Sequence, residues 1–94
     1  MPPSKYIRDL QKAIRATHGC GSRHFTTIPV TEKSGGEIIW QGDVEVFDLV
    51  NHPKAQCCYA WSYHQAGAVQ TMTILGTPSV SSAEDAVRAA LATK

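Results

Sequence analysis

Residues 37–49, EIIWQGDVEVFDL, constrain the fold of this chain more than any other stretch. Ile38, Trp40, Val44 and Val46 fall on one side of an alternating pattern, and Gln41, Asp43 and Glu45 on the other. A period of two describes a strand with one buried face. Near its end the pattern inverts: Phe47 and Leu49 enter the polar register and Asp48 the apolar one. Either the strand kinks there, or its second face becomes covered. Gly42 is the expected position of a bend or bulge.

The flanking segments build a sheet around this strand. Residues 23–32, RHFTTIPVTE, are β-branched and aromatic, with Ile28 and Val30 on one face. Pro29 cannot donate to a ladder, so this strand belongs at an edge or carries a bulge. Lys33-Ser34-Gly35-Gly36 reads as a hairpin turn. His52-Pro53 sets a further turn, because the residue before proline is pushed out of the helical region. Residues 56–64 and 68–75 supply two more strands, joined through Gln65-Ala66-Gly67.

Both ends read as helices. In residues 4–18, Ile7, Leu10 and Ile14 recur at helical spacing, while Lys5, Arg8, Asp9, Lys12 and Arg15 fall mostly on the other side. Ser4 can cap the start and Gly19 can supply a left-handed stop. In residues 82–93 the stripe Ala83, Ala86, Val87, Ala90, Leu91 is rich in alanine, and Ser81 with Glu84 forms an expected capping box. The order is α-β-β-β-β-α. The expected architecture is an α+β two-layer sandwich: one domain, 1–94, with a four-stranded antiparallel sheet and both helices on one face.

Composition fits one globular domain of 94 residues, 43% apolar and 18% charged. A net charge of +1, spread along the chain, argues against phosphate-backbone binding. The helix–sheet order resembles double-stranded RNA-binding domains. The last helix, however, begins with the acidic Glu84-Asp85, where such a domain wants basic residues, so a nucleic-acid partner is not expected. No apolar run reaches the ~18–20 residues of a membrane span, and no secretory core precedes the first helix. Three cysteines, two of them adjacent, suit reduced thiols in a cytoplasm better than a disulfide framework.

Functional candidates concentrate in HPKAQCCYAWSYH, residues 52–64. Alternation sends Cys57, Tyr59, Trp61 and Tyr63 to one face and Cys58, Ala60, Ser62 and His64 to the other, so the adjacent cysteines are badly placed to act as a pair. Phe47, Tyr59, Trp61 and Tyr63 could form a sheet-borne surface for a small molecule or a protein; core or dimer-interface packing is the commoner use of such rings. A His52-centred enzyme with Asp48, Cys57 or Tyr59 is the alternative, and it requires those groups to converge. A zinc site would draw on His18, Cys20 and His24, although their spacing matches no standard ligand pattern. The glycines around Cys20 lack the strand-to-helix context of a phosphate loop, and no cofactor is expected.

The pattern WQGDVEVFDL, HPKA and CYAWS, with the His18-Gly19-Cys20 loop and the Ala86-Val87-Arg88-Ala89-Ala90 helix, resembles a family of small uncharacterised bacterial proteins. The resemblance covers nearly the whole chain. It implies a compact bacterial cytoplasmic domain and carries over no activity and no functional residue. The expectation is therefore a small non-enzymatic binding or interaction module. It would be homodimeric and would work through the aromatic sheet face or through the His52-Pro53 loop at its rim.

Overall fold

The computed structural model describes residues 4–92. Its elements follow the expected order: α1 (Lys5–His18), β1 (Gly21–Ser34), β2 (Glu37–Val50), β3 (Cys57–Gln65), β4 (Ala68–Leu75) and α2 (Ala83–Ala92). The strands form one antiparallel sheet in the order β1-β2-β3-β4, each paired with its neighbour in sequence. The α+β class and the four-stranded antiparallel sheet are as expected.

Local chemistry explains the boundaries. Ser4 Oγ accepts the Ile7 N–H at 3.2 Å, and Gly19 closes α1 at φ 71°, its N–H donating to Arg15 O. The β1–β2 hairpin turns on Gly35-Gly36, both at positive φ, as a two-residue connection matching strand twist requires. The β3–β4 hairpin uses Ala66-Gly67 in the same way and holds an alanine at φ 53°. Pro29 sits in edge strand β1, which also carries a bulge at His24/Thr26.

Two local expectations change. Pairing runs through Gly42 without a shift; a second register shift lies instead at Glu32/Lys33, and the Trp40 ring lies over Gly42. The cap of α2 is displaced by one residue from Ser81/Glu84. Ser82 Oγ accepts the Asp85 N–H, and the Asp85 carboxylate accepts from Ser81 N and Oγ.

The larger correction concerns layers. The helices lie on opposite faces of the sheet. On one face α2 packs Ala83, Ala86, Val87 and Ala90 against Val30, Val44, Val46, Tyr59 and Trp61. On the other, α1 packs Leu10 and Ile14 against Phe47, Cys58 and Ala60, with Ile7 and Leu49 alongside. The sheet is thus the middle of three layers. The reason is the inversion in β2: Val44 and Val46 face α2, whereas Phe47, of opposite parity, faces α1 and is fully buried. No kink is needed, because both faces are covered.

Candidate functional site

The four aromatics expected to share one surface are divided between the two faces. Tyr59 and Trp61 lie under α2, at 6% and 3% exposure, with half-buried Tyr63 beside them. Trp61 also meets Trp40 edge to face, with centroids 5.7 Å apart. Phe47 lies under α1. Most of this aromatic area is therefore spent on the core.

The His52-Pro53 turn lies instead at an open cleft of about 610 Å³. One wall is the loop 52–57, leading into β3. The other is the segment 76–81, which follows β4 and leads into α2. Two backbone hydrogen bonds hold the walls in place: Gly76 N–H donates to Cys57 O, and Leu49 N–H donates to Gln56 O, each at 2.9 Å. Gly76 is required by contact. A side chain there would collide with Cys57 Sγ and crowd the Tyr59 ring.

His52 shapes its own loop. Its Nδ1 accepts the Lys54 and Ala55 N–H groups, both at 3.1 Å. In the neutral ring this places the remaining proton on Nε2. Lys54, Gln56, Thr77 and Ser81 add polar groups to the lining, beside Cys57 and Tyr59. Burial, then the neighbouring Cys57, then Asp85 and Glu84 push the Tyr59 hydroxyl up to about 12. The phenol therefore stays protonated at neutral pH and can donate a hydrogen bond.

The residues of the enzyme alternative converge only in part. His52, Cys57 and Tyr59 line one cleft, whereas exposed Asp48 does not line it. Asp48 stands opposite Cys57 in the β2–β3 register. His52 Nδ1, the atom an orienting carboxylate would occupy, is held by the loop backbone.

The zinc candidates do not converge. His18 Nε2 lies 3.0 Å from Thr73 Oγ1, and His24 Nε2 lies 2.8 Å from Glu45 Oε1. Among the described residues no three histidine, cysteine or acidic side chains gather as a metal site. The three cysteines are free thiols, with Cys57 and Cys58 on opposite faces as alternation requires. Burial, and secondarily the neighbouring Cys57, push the Cys58 thiol up to about 12, which leaves it an inert core group.

Glu45 lies outside every expected site. It falls in the polar register of residues 37–49, yet it is 5% exposed on the α1 side, bonded to His24 and Thr27 Oγ1. Its sequence signal is the switch two residues later, where Phe47 announces cover on that face. The second wall of the cleft, 76–81, had as its only signal the end of the strand expected at 68–75.

Comparison with known proteins adds no relative: no family model, no curated protein and no solved structure matches the chain. No helix among the described residues is long and apolar enough to cross a membrane.

Proposed function

We propose that this chain is a small cytoplasmic binding module whose working site is the cleft between loop 52–57 and segment 76–81. The observation that carries this reading is the lining. An open volume within the range of ligand pockets brings together the His52 imidazole, the Lys54 ammonium and the protonated Tyr59 hydroxyl. Donors predominate, which suits a small molecule bearing a carboxylate or carbonyl. The experiment is amide-resolved NMR with a panel of small carboxylic acids and amides. The expected result is saturable shifts confined to residues 52–57 and 76–81, and their loss in Lys54→Ala. Shifts that scatter over the surface, or none at millimolar ligand, would remove the reading.

The module acts as a homodimer joined through β4. The two sheet edges support this. β1 carries a proline and a bulge, devices that blunt an edge, whereas β4 pairs with β3 through eight consecutive residues without a shift. No residue of β4 is charged, so two copies can align antiparallel without like-charge repulsion. Light scattering should give twice 10.2 kDa for the parent and 10.2 kDa for Thr71→Lys. A parent that stays monomeric at high micromolar concentration would refute the pairing.

A further inference from the structure

A second open groove lies between α1 and the start of β1, with a volume of about 340 Å³. It is lined by Arg8, Gln11, Lys12, Arg15, Gly21 and Ser22. Arg8, Lys12 and Arg15 lie at i, i+4 and i+7, so one side of α1 presents all three. Among the described residues, no carboxylate pairs with any of them; the ion pairs use Lys5, His24 and Arg88.

The charge that reads as spread along the chain is in fact uneven, and the modest net value conceals this pole. Residues 5–23 hold Lys5, Arg8, Lys12, Arg15 and Arg23 against Asp9 alone, a net +4 in a chain of net +1. The cations are concentrated in α1 and the start of β1, and carboxylates elsewhere in the sequence offset them. Such a local field raises the concentration of anions at the groove.

The floor is built as well as charged. Gln11 Nε2 donates to Ser22 O at 3.1 Å and ties the helix to the strand. The Arg15 guanidinium lies over Gly21, within ordinary van der Waals reach of that position, with Nη2 3.6 Å from where a Cβ would stand. Ser22 Oγ is buried without a hydrogen-bond partner. Ser22 lines the groove, so its unpaired hydroxyl is a donor left over for an acceptor bound there.

We infer that the groove formed by Arg8, Lys12, Arg15, Gln11, Gly21 and Ser22 binds a phosphorylated small molecule. Two guanidinium forks and one ammonium suit a phosphoryl group, with its several acceptor oxygens, better than a single carboxylate. The groove volume accommodates a phosphoryl group with a compact substituent. This site is separate from the cleft at His52 and shares no lining residue with it.

The test is titration of the full chain with inorganic pyrophosphate at low salt, followed by calorimetry and amide NMR. Saturable binding is expected, with shifts centred on residues 8–15 and 21–22. Affinity should fall at least ~10-fold in Arg15→Gln and weaken steadily as salt rises. Arg15→Lys keeps the charge without the fork, and an affinity between parent and Arg15→Gln is expected. Ser22→Ala, which is neutral in charge, should weaken binding by ~3-fold or more, the smaller end of a lost hydrogen bond. Folding of each variant is checked by its unchanged melting curve. Vesicles rich in phosphatidylserine separate a soluble ligand from a lipid surface: sedimentation with vesicles in the absence of pyrophosphate binding would overturn the inference. So would pyrophosphate affinity unchanged in Arg15→Gln, or no binding at ~10 mM in low salt, the weak limit of specific anion recognition.

Discussion

The two faces of the sheet solve the same packing problem in opposite ways. Under α2 the sheet supplies most of the bulk, with Tyr59, Trp61 and three valines, and the helix supplies three alanines and Val87. Under α1 the helix supplies the branched side chains of Leu10 and Ile14, and the sheet offers Cys58 and Ala60 beside one large ring, Phe47. Interiors fill to nearly constant density, so bulk on one surface requires relief on the other. Complementary size, more than hydrophobicity, decides which helix covers which face.

The strongest way to break the comparison is to remove the bulk from each side. Trp61→Ala and Phe47→Ala should each cost ~3–5 kcal/mol in urea denaturation, because both leave cavities under a helix. A cost below ~1 kcal/mol for either would mean that its face is not core. The next test inverts the sizes. Ala86→Leu, fully buried against the aromatic face, should cost ~1–3 kcal/mol by overpacking, whereas Leu10→Met on the other face, which conserves volume, should cost less than ~1.5 kcal/mol. Equal costs would show that the two interfaces have the same slack.

A smaller effect separates the faces by pH. The α1 face places His18 against Thr73, 6.4 Å from the His52 ring. Burial, then the charge of a protonated His52, lowers the His18 pKa below its ordinary 6.5. The unfolded chain therefore binds that proton more readily than the folded one. This contribution to stability is complete above pH 6.5 and is lost as pH falls through the lower folded value. Thermal melts between pH 7.5 and 5 should show the decline, and His18→Gln should flatten it. A decline of the same size in His18→Gln would assign it elsewhere.

Much of this architecture was legible in residue pattern. Ser4 and Gly19 bound α1, and Pro29 marked an edge strand, because caps and proline act through the local backbone alone. The inversion at Phe47 was legible as an alternative, a kink or a second cover. Deciding between them required knowing where α1 lies, which is a relation between segments far apart in the chain. The same distance hid the cleft: His52 was a candidate, but Gly76 and Ser81 reach it only through the β3–β4 hairpin. Glu45 was misplaced for a related reason. Alternation assigns a side chain to a face and says nothing about whether that face meets water.

The sheet order has a consequence for how the chain is made. Each strand pairs with the one before it, so the sheet can grow as it leaves the ribosome, without waiting for distant partners. α1 cannot complete its docking in that time, because His18 meets Thr73 across 55 positions and the Tyr6 hydroxyl meets the Ser62 N–H across 56. At ~5–20 residues per second the apolar side of α1 waits roughly 3–11 s for its platform. Nascent chains stalled before residue 68 should leave α1 open to protease, and chains stalled beyond the exit tunnel should protect it. The interval in which this protein is most exposed to chaperones and misassembly is therefore set by its first helix and closed by its last strand.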